Sequence, residues 1–254
     1  MATEAFRPSR AKRLILGTMR LHEIDRTVDQ WLGFFATAFR LGVRTIHSSL
    51  EYDSFPLLRE ILGRLRREHR DVEFRHMVKL GDPHFDEESF DAERFSARVD
   101  GYRSALGTER VDDVQWMWRG GLDADGERID RFRKAMDQIG SAADKLKAAG
   151  RIGRLFCFPY TPGFAEAALD EQAIDGLAVY RNAQESDYDR AIDRAGEVGK
   201  PCIIIRPFNA GKVFEGADTG PTTAIRSALA KPAIEAAVLS TSNIGHLQQL
   251  LRVI

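Results

Sequence analysis

Several side chains in this 254-residue sequence have the chemistry to bind anions or to move protons. Arg20, Arg119 and Arg206 each follow a short apolar segment, and a guanidinium binds a carboxylate or a phosphate through two parallel hydrogen bonds. Arg206 is the strongest of the three, because it ends a wholly apolar segment. His47 ends another such segment, and an unperturbed imidazole changes its charge near neutral pH. The alternative for each arginine is a structural or solvated ion pair.

The overall charge and hydrophobicity exclude several classes of protein. Lys and Arg number 37 against 38 Asp and Glu, for a formal net charge of -1. A nucleic-acid-binding domain would show a basic excess, so we expect no nucleic-acid partner. No apolar stretch reaches the roughly 20 residues that cross a bilayer, and residues 1–13 lack the apolar core of a secretion signal. The sequence therefore predicts a cytoplasmic protein without membrane association.

The cysteines and histidines give no sign of a disulfide framework or a metal centre. Cys157 and Cys202 both lie in apolar segments, which indicates two buried and reduced thiols. No group of His, Cys, Asp or Glu has the spacing of metal ligands, so we expect no metal. The composition leaves homo-oligomerisation open.

Short apolar segments alternate with longer amphipathic ones along the chain. The short ones are rich in Val, Ile, Leu or aromatic residues, as buried parallel strands are. The predicted strands are 13–17, 44–47, 74–79, 114–118, 154–158, 176–180, 202–206 and 237–239. The predicted helices are 25–41, 55–67, 88–106, 127–149, 164–169, 187–198, 222–229 and 244–251. Gly42, Gly107, Gly150 and Gly199 each follow a predicted helix, as helix-ending glycines do.

This alternation of eight strands with eight helices favours one closed (β/α)8 TIM barrel, and we expect a single domain over residues 1–254. An open doubly wound sheet usually has a glycine-rich loop after its first strand, whereas this chain reads Gly-Thr-Met-Arg at 17–20. Active sites of such barrels lie at the carboxyl ends of the strands. That position selects 19–20, 47–52, 79–84, 118–119, 158–160, 180–182, 206–211 and 240–243.

Two aromatic side chains at these strand ends are candidates for the walls of a substrate pocket. Trp118 ends the fourth predicted strand, and Tyr160 follows the fifth. Trp116 alternates with Trp118 and so points to the same side of its strand, where core packing is the simpler interpretation. We therefore predict substrate contacts for Trp118, Tyr160, Arg20 and Arg119.

In order along the chain, several segments resemble those of the aldo-keto reductases. They are Gly17–Arg20, Arg40–Ile46 with Tyr52, Lys79 at the end of the third strand, Asp113–Arg119, Leu146–Gly153, Ile205–Gly211 and Val238–Leu247. The resemblance runs from about residue 13 to the end of the chain. It implies a (β/α)8 barrel that binds NADP(H) across its mouth and reduces a small-molecule carbonyl.

The resemblance also implies roles for individual residues. In the family a tyrosine protonates the carbonyl oxygen, and a nearby lysine favours its phenolate. Tyr52 and Lys79 align with these two residues. His47 stands where the family has an aspartate, and an imidazole there can accept a proton from Tyr52 or from a substrate. Trp118 stands where the family has a histidine. The predicted catalytic residues are Tyr52, Lys79 and His47.

The family's cofactor-binding positions are retained in part. Those that would hold the phosphates are Arg206, Phe208, Asn209, Gly211 and Lys212 after the seventh strand, with Thr241 and Ser242 at the start of the last helix, whose amides can bind phosphate. Asn182 keeps the family's asparagine after the sixth strand. Phe158-Pro159 and Ala178 replace the Ser-Asn pair and the Gln that hydrogen-bond the nicotinamide carboxamide in the family.

These substitutions leave three functions open. The first is an NADP(H)-dependent oxidoreductase with an altered site. The second is a non-redox enzyme, such as a lyase, an isomerase or a cyclase, that uses Tyr52, Lys79 and His47 for proton transfer. The third is a binding protein without catalysis. The substituted aspartate and histidine and the changed carboxamide positions favour the second and third, whereas the retained tyrosine, lysine and phosphate loop favour the first.

The loops that shape the barrel mouth are short. The predicted connections 119–127 and 207–221 are shorter than those of the family, and the sequence ends directly after the last predicted helix. We therefore expect an open and shallow mouth, unless a second subunit covers it.

Overall fold

The eight strands form a closed parallel barrel in which each strand neighbours the next along the chain and β8 neighbours β1. The computed structural model describes residues 11–214 and 220–254. The strands are β1 Leu14–Gly17, β2 Thr45–Ser48, β3 Arg75–Gly81, β4 Val111–Met117, β5 Ile152–Cys157, β6 Gly176–Tyr180, β7 Cys202–Ile205 and β8 Ile234–Leu239. This order confirms the predicted (β/α)8 fold.

The principal helices follow the strands in alternation. They are α1 Val28–Arg40, α2 Phe55–Glu68, α3 Ala92–Leu106, α4 Asp125–Ala148, α5 Pro162–Asp170, α6 Asp189–Glu197, α7 Pro221–Ala228 and α8 Ile244–Leu251, with 3-10 turns at Leu21–Glu23 and Asn209–Phe214. Among the helices that the structure describes, none is both long and apolar enough to cross a bilayer.

The contacts between residues divide the chain into two compact units. The first unit comprises Met1–Arg75, Tyr180–Ser186 and Ile204–Ile254, and the second comprises His76–Val179 and Asp187–Ile203. In the first, β1 pairs with both β2 and β8, so that Ile15 lies beside Thr45 and Val238. In the second, β3 to β6 pair in sequence order, with Gln115 between Lys79 and Phe156.

Packing against helices explains why the strands are apolar on both faces. β1, β2 and β6 are buried along all or nearly all of their length, as expected for parallel strands enclosed by helices. In the second unit, the rings of Trp116 and Trp118 both pack against Phe132 of α4. Phe132 in turn packs against Phe164 of α5, with 4.7 Å between ring centroids. Trp116 is fully buried, which confirms its assignment to the core.

Local sequence signals set the ends of the helices. Thr27 begins α1 with a capping box, in which its hydroxyl accepts from the Gln30 amide and the Gln30 side chain accepts from the Thr27 amide. All four predicted helix-ending glycines have positive φ, from 63° to 92°. Gly150, for example, ends α4 with φ of 69°, a conformation that costs an L-residue about 1–2 kcal/mol.

Some predicted boundaries differ from the structure. The third helix begins at Ala92 rather than residue 88, because the Asp91 side chain caps it by accepting from the Arg94 amide. β4 begins at Val111, three residues before the prediction, because Val111 pairs with Ile152 of β5. β8 begins at Ile234, three residues before the prediction. The predicted loop 207–221 lies partly outside the described residues.

Candidate functional site

The carboxyl end of β2, in the first unit, brings together two of the predicted catalytic residues. His47 is 4% exposed, and its carbonyl accepts hydrogen bonds from the Thr18 amide (3.2 Å) and hydroxyl (2.9 Å). The Ser54 hydroxyl donates to the Thr18 carbonyl at 2.7 Å, which ties the turn after β2 to the end of β1. In that turn the Tyr52 ring lies beside the His47 ring, with centroids 6.2 Å apart. An imidazole and a phenol therefore share the end of this strand.

Lys79 lies near the end of β3, in the second unit. Its side chain is half-buried, and its backbone pairs in register with Gln115 of β4. The Tyr102 hydroxyl of α3 donates to the Lys79 carbonyl, which fixes the backbone at this position.

The guanidinium of Arg119 is the centre of a polar cluster at the ends of β3, β4 and β5. Its side chain is buried, although it follows the last residue of a strand by only two positions. It donates to His84 Nε2 at 2.6 Å, to the Tyr160 hydroxyl at 3.2 Å and to Met117 Sδ at 3.7 Å. The exposed Phe85 ring lies over it, 4.9 Å from Cζ. We call Arg119, His84 and Tyr160 the arginine cluster.

The backbone around the arginine cluster is shaped to admit it. Gly81 ends β3, and a Cβ there would lie 3.1 Å from Arg119 Cδ and 3.3 Å from its Nε. Tyr160 has φ of 63°, in the left-handed region that non-glycine residues rarely adopt. Such strained residues occur preferentially at functional sites.

A buried carboxylate anchors the loop that carries His84. Asp82 is fully buried and accepts from Arg94 Nε (3.0 Å) and Nη2 (2.8 Å), from Arg98 Nη1 (3.1 Å) and from the Asp91 amide (3.2 Å). Burial raises the pKa of the Asp82 carboxyl above its ordinary value, and the hydrogen bonds from Arg94 oppose this shift. Arg98 also pairs with Glu87, so Arg94 and Arg98 of α3 together hold the loop.

A second buried arginine supports the backbone that directly follows β4 and β5. Arg128 of α4 is fully buried, and it donates to the carbonyl oxygens of Trp118 (3.3 Å) and Pro159 (2.9 Å). It also bonds Asp125 and the Thr161 hydroxyl, and Thr161 caps α5. Arg128 thereby fixes the backbone next to Arg119 and Tyr160. Sequence reasoning missed this role, and its only local signal was the Asp125 carboxylate three residues before it.

The structure places two of the predicted substrate-contact residues, Trp118 and Arg20, in positions that suit substrate binding less well. Trp118 is 1% exposed, with its ring packed edge-on against Trp116 and Phe132, so it offers no face to a ligand in this structure. Arg20 is half-exposed and pairs with Glu23 at 2.5 Å, which is the ion-pair alternative considered for it. Arg119 and Tyr160 are the predicted substrate contacts that the structure brings together.

The loops after β6 and β7 interlock within the first unit. The Asn182 amide nitrogen donates to Glu185 (2.7 Å) and to the Arg206 carbonyl (3.3 Å), while its oxygen accepts from the Gln184 amide (2.9 Å). Gln184 in turn donates to the Lys212 carbonyl at 3.2 Å. The Asn182 side chain thus uses both its donor and its acceptor groups within the protein.

The loop after β7 has an unusual backbone. Arg206, Asn209 and Ala210 have positive φ although none is a glycine, and Gly211 follows with φ of 96°. The Arg206 guanidinium stacks on the Tyr180 ring, 4.8 Å from its centroid, while its side chain remains exposed. Turns of this kind form concave backbone surfaces that suit anions.

The remaining predicted phosphate contacts flank this loop and the last helix. Phe208 packs against Phe214, with centroids 5.2 Å apart, and Lys212 is exposed. Before α8, Thr241 and Ser242 are half-buried, and Asn243 caps the helix by accepting from the His246 amide at 3.2 Å. One backbone amide at the start of α8 therefore already has a hydrogen-bond acceptor within the protein.

These observations test whether a dinucleotide fits the predicted cofactor residues. Arg206 and Lys212 are exposed cations in the loop after β7. Together with the left-handed turn of that loop they suit a pyrophosphate. The position expected to bind the carboxamide does not fit as well, because Asn182 is engaged with its own loop and Phe158 is an apolar ring packed against Tyr160. In residues 11–214 and 220–254, no three His, Cys, Asp or Glu side chains are arranged to hold a metal ion.

The fold is shared with solved structures of the aldo-keto reductases. The structure resembles a putative aldo-keto reductase from Pseudomonas aeruginosa with a TM-score of 0.71 and 21% identity, covering 95% of this chain and 89% of that one. It resembles the holo form of an aldo-keto reductase from Bacillus halodurans with a TM-score of 0.70 and 16% identity, over 95% and 86% of the two chains.

A third structure, an aldo/keto reductase from Klebsiella pneumoniae in complex with NADP and acetate, matches with a TM-score of 0.67 and 16% identity, over 95% and 85% of the chains. No protein-family model matches the sequence, and no curated protein matches it. The chain therefore has the barrel fold of the aldo-keto reductases, as its sequence motifs predicted.

Proposed function

We propose that this protein is an NADP(H)-dependent oxidoreductase that reduces a small-molecule carbonyl. The observation that carries the proposal is the pairing of Tyr52 with His47 at the carboxyl end of β2, in a barrel of the aldo-keto reductase fold. That fold is found in proteins solved with NADP and with NADPH. The near-neutral net charge supports a small molecule rather than a nucleic acid as the partner. The composition supports a cytoplasmic location and leaves the oligomeric state open.

The proposed chemistry uses the protein's own groups for proton transfer. When bound, the dinucleotide supplies a hydride to the carbonyl carbon. Tyr52 donates its phenolic proton to the carbonyl oxygen, so that charge does not build up there. His47, adjacent to Tyr52 and 4% exposed, then supplies the proton that restores the Tyr52 phenol. Lys79 keeps the role that the resemblance implies, in which an ammonium favours the phenolate of Tyr52.

The residues that would hold the dinucleotide lie mainly in the first unit. Asn209, Gly211 and Lys212 present the turn after β7, and Arg206 is exposed above the Tyr180 ring. Thr241 and Ser242 precede α8, where helix amides favour a phosphate. In this proposal the pyrophosphate supplies most of the binding energy, since the Asn182 side chain is engaged by Glu185 and by the Arg206 carbonyl within the protein.

The engagement of Asn182 favours a second candidate function. If the nicotinamide is not held productively, Tyr52, His47 and Lys79 remain available for proton transfer without redox chemistry. A lyase, an isomerase or a cyclase would need only these groups and a bound substrate.

The experiment that separates the two is a titration of the purified protein with NADPH, followed by cofactor fluorescence. We expect saturable binding, with Lys212→Ala and Arg206→Ala weakening it about tenfold each through lost phosphate contacts. The matched control is Lys134→Ala on the exposed face of α4, which should bind NADPH as the parent does. Absence of binding at millimolar NADPH would exclude the oxidoreductase and leave the non-redox enzyme.

A further inference from the structure

An exposed groove runs between α3 and α4 in the second unit. It has a volume of about 730 Å³ and is lined by both helices and by Arg151, which follows α4. We propose that this groove is a contact surface between two copies of this chain, related by a two-fold axis. The inference is independent of the proposed function, because none of the groove residues belongs to the candidate site.

The side chains at the middle of the groove are small. Ala97 of α3 and Ser141 of α4 are exposed, while Ser96 is half-buried and Ala142 is buried. The distance at which two helices pack depends on the side chains between them, so small side chains allow another helix to come close. The groove therefore has room for a helix of a partner protein.

The two ends of the groove carry opposite charges. α3 and α4 run in the same direction, since each follows a strand of the parallel barrel. Arg151 donates to Asp100 at 2.9 Å, which brings the end of α4 beside the middle of α3. Lys145 therefore lies at one end of the groove, whereas Glu93 and Asp137 lie at the other.

These end charges are available to a partner. Glu93, Asp137 and Lys145 are exposed, and Asp137 and Lys145 are separated by about 12 Å along α4, at a rise of about 1.5 Å per residue. The other two charged residues that line the groove, Asp100 and Arg151, pair with each other. One surface thus carries a separate acidic end and basic end.

A second copy of the chain fits this distribution of charge. Rotation about a two-fold axis between Ala97 and Ser141 reverses the direction of the groove. Glu93 and Asp137 of one copy then face Lys145 of the other, and the same contact repeats across the axis. Self-complementary surfaces of this kind form closed pairs. An unrelated partner would need its own matching ends, whereas this chain carries both.

We expect a dimer that dissociates on dilution. Leu146, the largest apolar side chain that lines the groove, is only 3% exposed, and obligate dimers have more hydrophobic interfaces. The test is sedimentation velocity of the full chain from about 5 to 500 μM. The dimer fraction should rise with concentration and fall with added salt, because salt screens the end charges. A chain that stays monomeric over this range overturns the proposal.

An exchange of charges tests the two-fold arrangement. Glu93→Lys and Lys145→Glu each place like charges opposite one another, twice in every dimer. We expect either variant to raise the dimer dissociation constant about tenfold or more, and the double variant Glu93→Lys/Lys145→Glu to restore it to within about threefold of the parent. Failure of the double variant to restore dimerisation contradicts the proposed arrangement.

A steric variant and a matched control accompany the exchange. Ala97→Trp fills the middle of the groove from an exposed position and should abolish the dimer. Glu60→Lys makes the same charge change at an exposed residue of α2 and should dimerise as the parent does. Circular dichroism checks the fold of each variant. Unchanged dimerisation in both Glu93→Lys and Ala97→Trp would place the contact elsewhere and overturn the proposal.

Zero-length cross-linking identifies the contact directly. A carbodiimide joins a carboxylate to a lysine amine when the two are in contact. In a mixture of isotope-labelled and unlabelled chains, mass spectrometry should detect Lys145 of one copy joined to Glu93 or Asp137 of the other, as peptide pairs of mixed isotope content. Cross-links between copies that never include Lys145 would contradict the proposed contact.

Discussion

Individual side chains at the strand ends carry the proposed chemistry, and Tyr52 is the most direct to test. Its ring lies beside His47, so removal of the hydroxyl should leave the packing intact while removing the acid. We expect Tyr52→Phe to lower kcat for carbonyl reduction by at least a hundredfold, within the usual range for a general acid, with NADPH binding unchanged. Tyr188→Phe, which alters a buried tyrosine before α6, is the control and should keep its activity. Unaltered turnover in Tyr52→Phe would exclude the acid role.

The two cysteines allow a test of burial at single residues. Burial raises the pKa of the Cys202 thiol to about 12, and it raises that of Cys157 as well. A neutral buried thiol is a poor nucleophile, so iodoacetamide at pH 8 should label neither cysteine in the native protein and both in urea. Mass spectrometry measures the labelling, and rapid native labelling would show that the strands holding these residues open readily.

The same pKa shift sets a pH dependence of stability. The Cys202 pKa in the folded protein lies above the value of about 8.5 for an unfolded thiol. Between these two values the folded state binds a proton that the unfolded state has lost. The contribution of this group to the free energy of unfolding therefore falls as the pH rises through that window. Chemical denaturation with and without Cys202→Ser measures the difference.

The helices and strands could be predicted because their sequence signals are local. Their first and last residues were harder to predict where a capping side chain or a neighbouring strand sets them. Gly150 ended α4 as the sequence indicated, since its φ of 69° favours a residue without a side chain. The start of α3 at Ala92 depended on the choice of Asp91 as the cap. The start of β4 depended on pairing with β5, which no local signal shows.

Two glycines, Gly150 and Gly101, form a matched pair that tests how backbone conformation affects stability. A Cβ at Gly150 or at Gly101 would meet no atom within 4 Å, so only the backbone differs between them. Gly150→Ala forces alanine into a left-handed conformation and should destabilise the protein by about 1 kcal/mol. Gly101→Ala, within α3, should stabilise it by about 1 kcal/mol through helix propensity. Urea denaturation midpoints that shift in the same direction would contradict this explanation.

At the scale of the whole molecule, we propose that residues 1–254 form one domain. A closed barrel has no free strand edges, and loss of one strand would expose two, so unfolding should be a single cooperative transition. Trp31 reports on the first unit, whereas Trp116 and Trp118 report on the second.

The tryptophans make this proposal measurable. In Trp31→Phe, fluorescence follows the second unit alone, and in the double variant Trp116→Phe/Trp118→Phe it follows the first. Within each variant, the fluorescence midpoint in urea should coincide with the midpoint from far-ultraviolet circular dichroism. Separate midpoints in either variant would show that the two units unfold independently.

The sequence by itself determined the barrel and the position of its candidate site along the chain. Strand and helix periodicity, helix-ending glycines and the order of the motifs are local properties, and the rule that sites lie at strand ends then selected His47, Tyr52, Arg119 and Tyr160. Only the tertiary structure decided which of these meet. It buried Trp118 against α4, paired Arg20 with Glu23 and joined Arg119 to His84 and Tyr160. Contacts between loops that lie far apart in sequence depend on packing and on buried groups such as Asp82 and Arg128, which no local pattern reveals.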